Sequence, residues 1–373
     1  MSRRPGYWAL GIPLALGALF LAALPRIREW SIRSRSTAEL MALALEDPGN
    51  AEIQFELGRK LLAENHPEDA ARAFAAAFAA RPQRPDYGAM QIRSLLRAGL
   101  PAEALVAADT YLRRNTANPL LLAAAASAYY ALGNLEAAEG GYRKSLAAAP
   151  SNADAWAGLA MVLADMHNLR DALDAARRAK ALAPDMPEAD VALAHVMDLS
   201  GDTAKAIALL RHAVARDRGY VRAWEFLCSA LLRAPQSPEF CRDAILRDAE
   251  AAAPRSAIIP YCRGIYSMQA RHYDQAVASF RTALQRNPVY PDALYNLSLA
   301  YAFCGDRRAS AVARRRFTRL SGYLRRVTEI QIRLSRDPHQ PALWHTLEEL
   351  ARRNGDVHRA EYARIRGEAL HRR

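Results

Sequence analysis

The sequence predicts an all-α fold: a right-handed α-solenoid of stacked helix-turn-helix units behind one N-terminal transmembrane helix. Two observations carry the solenoid. Prolines recur at a spacing of 34 residues, at Pro48 and Pro82, Pro150 and Pro184, and Pro254 and Pro288. Ahead of them an alanine is followed four positions on by an aromatic ring, in Ala70 and Phe74, Ala138 and Tyr142, Ala276 and Phe280. A period of that length fits one helix pair, which cannot bury its apolar face alone and stacks on its neighbours. The third observation is an uncharged run of 18 residues, Tyr7 to Leu24, which carries the membrane helix.

Composition sets the limits. A chain of 373 residues exceeds what one compact core usually serves, but stacked units bury their faces pairwise. The mean hydropathy of −0.18 describes a water-facing body with a locally apolar segment. The net charge of +12 is uneven: residues 1–35 carry +5, residues 305–373 carry +9 from 17 arginines against 8 acids, and residues 36–304 carry −2. A general nucleic-acid binder spreads its basic charge along a groove, so this distribution argues against one. Cys228, Cys241, Cys262 and Cys304 form no C-x-x-C pair, and no histidine stands at zinc-finger spacing from them. They read as small apolar core residues, and no metal is expected.

Residues 1–6 are a short tail. Residues 7–24 make about 27 Å of helix, enough to reach across a bilayer core. Tyr7 and Trp8 stand where interfacial aromatics belong, and Arg3, Arg4, Arg26 and Arg28 bracket the span. A cleaved signal peptide is the alternative, with cleavage after Ala22-Ala23 opposed by Leu21 and Pro25. The arginines at 26, 28, 33 and 35 favour repeats on the cytoplasmic side; a short tail retained inside would place them on the other. Residues 25–50 form a basic linker and half a unit, with Leu40, Leu43 and Pro48 where a second helix would place them.

Residues 51–304 are the solenoid. The unit at 51–84 shows Leu57, Gly58, Leu61, Ala70, Phe74, Ala77 and Pro82; that at 85–118 keeps only Leu95, Gly99, Ala104 and Tyr111. The unit at 119–152 has Tyr129, Gly133, Ala138, Tyr142 and Pro150, and that at 153–186 has Trp156, Leu159, Ala160, Ala172 and Pro184. In the unit at 187–220 Arg218 replaces the proline, and the unit at 221–256 carries an insertion at Pro235–Pro238. The units at 257–290 and 291–324 open with Gly264 and with Leu294, Leu297 and Tyr301. Gly133-Asn134, Gly201-Asp202 and Gly305-Asp306 read as left-handed caps ending first helices.

This pattern resembles the tetratricopeptide repeat family, in which a first helix carries Trp-x2-Leu-Gly-x2-Tyr, a second Ala-x3-Phe, and proline closes the unit. The resemblance implies a non-catalytic module that binds protein partners in a concave groove. Mapped on this chain, the family's inner positions include Tyr130, His195, Phe226, Tyr261, Ile265, Tyr295 and Leu299. The family's carboxylate clamp uses Lys and Asn at inner sites where this chain has Phe55, Ala123, Ala157 and Val191, so capture of a terminal carboxylate is not expected. With the N-terminal span, the chain looks like a single-pass protein of a bacterial inner membrane.

Residues 305–340 read as one extended basic amphipathic helix. At about 100° per residue, Arg308, Arg315, Arg319, Arg326 and Arg333 fall on one stripe, apart from an apolar face of Ala309, Ala313, Phe317, Leu320, Leu324, Val327 and Leu334. Gly322 is a point where this helix could break. The stripe reads either as a solvated face or as a contact for anionic lipid or an acidic partner; nothing suggests base stacking. Residues 341–373 form a capping unit with Trp344, Leu347, Gly355 and Ala360.

No phosphate loop, H-E-x-x-H or G-x-S-x-G motif occurs, and the histidines are scattered among the units. The expected function is therefore a membrane-anchored scaffold or adaptor, without a cofactor. An assembly factor for an envelope complex and a regulatory subunit of a separately encoded enzyme, such as a glycosyltransferase, are the alternatives. Repeats alone do not separate these.

Overall fold

The structure, a computed structural model, describes residues 32–114, 116–234, 239–337 and 339–371. Among them are nineteen α-helices and no strand. They are α1 (Thr37–Glu46), α2 (Ala51–Ala63), α3 (Pro67–Ala80), α4 (Pro85–Arg97), α5 (Pro101–Leu112), α6 (Pro119–Ala131), α7 (Leu135–Ala148), α8 (Ala153–Asp165), α9 (Leu169–Leu182) and α10 (Pro187–Leu199). There follow α11 (Thr203–Arg216), α12 (Val221–Arg233), α13 (Glu239–Ala252), α14 (Ile258–Gln269), α15 (Tyr273–Arg286), α16 (Pro291–Phe303), α17 (Arg307–Arg336), α18 (Pro341–Arg353) and α19 (Val357–His371). The chain forms an all-α solenoid in two compact units, which divide between Ser94 and Leu95. No helix among the described residues is long and apolar enough to cross a membrane. The predicted span at 7–24 and the insertion at 235–238 lie outside the described residues.

The repeat prolines act one residue ahead of themselves. Arg81, Ala149, Ala183 and Asn287 each precede a proline, and each leaves its helix with φ between −134° and −141° and ψ between 77° and 98°. A following proline ring clashes with helical backbone at the preceding residue and drives it to such extended angles. Asp217, which precedes Arg218 instead, adopts the same turn at φ −134° and ψ 95°, so the turn survives loss of its proline. Four second helices begin on side-chain caps. Asn134, Asn168, Asp202 and Asp306 accept from the backbone N–H three residues on, satisfying donors that the helix leaves open.

The left-handed caps stand at Gly133, Gly201 and Gly305, with φ of 75°, 92° and 83°. The same place in three other units is held by Asn65, His167 and Arg271 at φ of 61° to 63°. There the helix pair is enforced by packing, at a steric cost glycine avoids.

The glycine–aromatic pairing inside each unit is a matter of distance. A Cβ on Gly58 would lie 2.8 Å from the Phe74 ring, and one on Gly264 would lie 2.5 Å from the Phe280 ring. Phe74 and Phe280 are both fully buried. Helix axes therefore approach as closely as a missing side chain permits, and the ring four residues beyond each core alanine fills the space so made. In the first unit Leu40, Ile53, Leu57, Leu61, Ala70 and Phe74 form the core. In the second, a cluster rich in alanine runs from Ala123 to Cys262. Cys228 and Cys262 lie in this core, but Cys304 is exposed, because it caps α16 at a solvent turn. The side chain of Cys241 lies outside the described residues.

Helix α17 runs unbroken through Gly322, the weak point of the extended helix. Burial of Leu320, Tyr323 and Val327 on either side holds it. A Cβ at Gly322 would meet no atom within 4 Å. Gly322→Ala is accordingly expected to stabilise the protein by about 1 kcal/mol, read as a rise in the thermal unfolding midpoint.

Candidate partner-binding surface

The positions singled out from the sequence fall into two groups, one gathered around Asp165 and one along α14 and α16. Tyr130, from the end of α6, donates its hydroxyl to Asp165 Oδ2 at 2.7 Å. The other carboxylate oxygen, Asp165 Oδ1, lies 2.7 Å from His195 Nε2 of α10. The His195 ring in turn packs on Phe226 of α12, with centroids 4.6 Å apart. Arg222, one turn earlier on α12, places its guanidinium 5.2 Å from the centre of the Tyr130 ring. Four first helices are thus joined by side chains, and Tyr130, His195 and Phe226 come together. Burial pushes the Asp165 carboxyl up, but the hydrogen bonds from His195 and Tyr130 outweigh it and hold the group below its usual range.

Asp165 and Arg222 complete this cluster and were not singled out from the sequence. Arg222 did leave a signal. A cation in the first turn of a helix opposes the macrodipole, so its presence in α12 calls for another reason. Asp165, the last residue of α8, left none.

Tyr261, Ile265, Tyr295 and Leu299 make the second group. Tyr261 on α14 is half-buried against Tyr290 and Phe280, at 4.9 and 5.8 Å between ring centres. Its hydroxyl accepts from Asn296 Nδ2 at 3.2 Å, which ties α14 to α16, and burial pushes the phenol up to about 12. Tyr295 on α16 is 38% exposed. It leans on α17, with Phe317 at 5.5 Å and the Arg314 guanidinium at 5.4 Å from its ring centre. Ile265 and Leu299 are half-buried. Phe303, at the end of α16, is 60% exposed and stacks on Tyr273. By contrast Ala123, Ala157 and Val191, mapped to the carboxylate-clamp positions, are buried and present nothing to a ligand.

The second unit also meets itself end to end. Helix α19 packs on α5. Arg366 of α19 forms an ion pair with Asp109 of α5, and its guanidinium lies 5.6 Å from the Trp344 ring centre. Trp344 and Tyr362 meet edge to face at 5.4 Å. Arg359 donates through Nη2 to the carbonyl of Leu132 at 2.9 Å, and Gln331 Nε2 lies 3.5 Å from the same oxygen. Leu132 caps the C-terminus of α6, where helix carbonyls lack partners and the dipole favours a cation. A second internal contact joins Arg97 to Asp217 at 2.7 Å, with Tyr220 beneath the guanidinium.

Comparison with known proteins agrees with this architecture. A family profile described as tetratricopeptide repeat matches residues 55–119, 123–187 and 263–302. In these stretches the chain carries tetratricopeptide repeats. Protein O-mannosyl-transferase TMTC1 of Homo sapiens is 26% identical over 172 residues, which are 45% of this chain and 19% of that protein. The chain thus spans about a fifth of that relative's length. Among solved structures, the APC/C hetero-tetramer Cut9-Hcn1 superposes with a TM-score of 0.61 at 14% identity, covering 82% of this chain and 56% of that one. The human IFIT1 dimer with m7Gppp-AAAA gives 0.51 at 15% identity over 86% and 90% of the two chains. At such identities the likeness is one of fold. Among the described residues no three His, Cys, Asp or Glu side chains are grouped to hold a metal ion.

Proposed function

We propose that this chain is a non-catalytic, membrane-anchored scaffold that holds a protein partner against the first helices of its later repeats. Tetratricopeptide repeats support a role in protein interaction. The observation that carries the finer reading is the contrast between the two inner groups. Tyr130, His195 and Phe226 are engaged with Asp165, Arg222 and one another. In the second group Tyr295 is exposed beside the exposed Phe303, while Tyr261, Ile265 and Leu299 are half-buried, as Tyr130 and Phe226 are. Aromatic rings already fixed by their neighbours are efficient anchors, because little side-chain freedom is lost on binding. The uncharged run at 7–24 supplies the anchor in this reading. Recruitment raises the local concentration of the partner and requires no chemistry of the scaffold.

The test is a photo-crosslinking residue placed in turn at Tyr295, Leu299 and Tyr130 of the full chain in cells. A protein adduct of discrete mass is expected from the first two positions and not from Tyr130. Tyr261→Ala with Tyr295→Ala should weaken capture of that protein at least about tenfold. Equal adducts at Tyr130, none at Tyr295 and Leu299, or unchanged capture by the double variant would refute the assignment.

A second reading is supported by the TMTC1 match, which joins these repeats by sequence to a protein named for mannosyl transfer. In it the chain serves as a regulatory subunit beside a separately encoded glycosyltransferase. The crosslinked partner's identity separates the two.

A further inference from the structure

Helix α17 differs from the rest of the second unit in how its charges are placed. Over Arg307–Arg336 it carries ten arginines and one acid, Glu329. On α18 and α19 these arginines have acids within reach on the same helix or just ahead of it: Arg352 with Glu348, Arg353 with Glu349, Arg359 with Asp356, and Arg364 with Glu361 and Glu368. On α17 the five stripe residues Arg308, Arg315, Arg319, Arg326 and Arg333 are all exposed. None of them takes part in an ion pair among the described residues. Arg315 and Arg319 stand four apart and Arg316 and Arg319 three apart, spacings at which like charges repel along a helix. A helix built only to pack would not need this arrangement.

Buried residues beside and opposite the stripe fix its direction. Ala313, Leu320, Tyr323, Val327, Ile330 and Leu334 are buried, so the arginines are held outward on a rigid rod. From Arg308 to Arg333 the row is about 37 Å long. It is a straight line of guanidinium groups rather than a groove. Its aromatic neighbours are not available to stack on bases, since Phe317 meets Tyr295 and Tyr323 is buried with its hydroxyl on Asp356. The exposed apolar residue beside the stripe is Val312, at 49%.

We infer that this face of α17 docks on the anionic headgroups of a lipid bilayer. Charge complementarity carries the choice of occupant. A long, flat, unpaired arginine row matches a surface of phosphate groups and pairs with it through guanidinium hydrogen bonds. The contact does not depend on Tyr261 or Tyr295, so it stands or falls apart from the scaffold reading.

The experiment places a fluorescent amino acid at Val312 of the full chain. The protein is reconstituted in phosphatidylcholine vesicles, or in vesicles with about a third phosphatidylglycerol, each bearing a headgroup-labelled acceptor. Energy transfer is expected to be at least about threefold greater in the anionic vesicles and to fall to the neutral level in about 0.5 M salt. Replacing the five stripe arginines with glutamine should abolish the difference, while replacing them with lysine should retain it. Helicity measured by circular dichroism confirms that each variant folds, and Arg315→Gln with Arg319→Gln gives a milder variant that should lose part of the signal. Equal transfer in the two lipids, or a full response in the glutamine variant, overturns the proposal. Stripe-dependent binding of single-stranded RNA with no response to lipid charge overturns it in favour of nucleic acid.

Discussion

Leucine in place of Gly264 is expected to destabilise the second unit by about 3 kcal/mol and to disrupt the proposed binding surface. A Cβ alone at this position would lie 2.5 Å from the Phe280 ring. That ring is fully buried and packs against Tyr261. The rest of the leucine must therefore separate α14 from α15. Phe280 also touches Tyr261, so the displacement reaches the inner surface. Thermal and urea unfolding of Gly264→Leu, beside Gly322→Ala as a variant with free space, measure the effect. A shift no larger than that of an exposed helix substitution would show that the close approach is not what sets the spacing of the helix pair.

The pair that joins α19 to α5 should respond unequally to the loss of its two members. Burial raises the Asp109 carboxyl above its usual range, and the nearby Arg366 offsets only part of that. Arg366→Ala leaves a buried carboxylate uncompensated and also strips the cation from Trp344. It is expected to cost about 3 kcal/mol. Asp109→Asn leaves the partly buried Arg366 without its counter-ion but keeps a hydrogen-bonding group and the contact with Trp344, and should cost less, about 1–2 kcal/mol. The sign with pH follows from the raised value. The neutral form of Asp109 is the one the fold prefers, so stability from this group is full below the unfolded carboxyl value and is lost as pH rises through the folded one. The deficit of Arg366→Ala should therefore shrink as pH is lowered into the carboxylate range. A pH-independent deficit, or one equal to that of Asp109→Asn, would remove the buried charge as the cause.

The helices were legible because their punctuation is local. Proline acts on the residue before it, and Gly133, Gly201 and Gly305 mark caps that only a left-handed residue can make. Asn65, His167 and Arg271 occupy equivalent caps without that mark, since packing rather than composition imposes their angles. Repeat position singled out Tyr130, His195 and Phe226, which come together around Asp165. It could not show what joins them, because Asp165 and Arg222 lie in other repeats and meet Tyr130 only when successive helix pairs stack. The same holds for Arg366 and Asp109, whose separation of 257 residues leaves no trace in a 34-residue pattern. Leu132 offers a lesson of another kind: its carbonyl is an ordinary helix end that becomes a docking point only when Arg359 arrives.

The return of α19 to α5 changes how the second unit comes apart. In a linear array, terminal repeats have one neighbour and fray first, so unfolding proceeds inward in steps. Here the outermost helices shield each other: α5 cannot peel away without breaking Arg366 from Asp109, and α19 must also release Arg359 from Leu132 of the α6 end. Pulled from its C-terminus, this unit should resist until those clasps rupture and then yield in one large extension instead of a staircase. Amide exchange in α5 and α19 should accordingly be as slow as in the interior repeats.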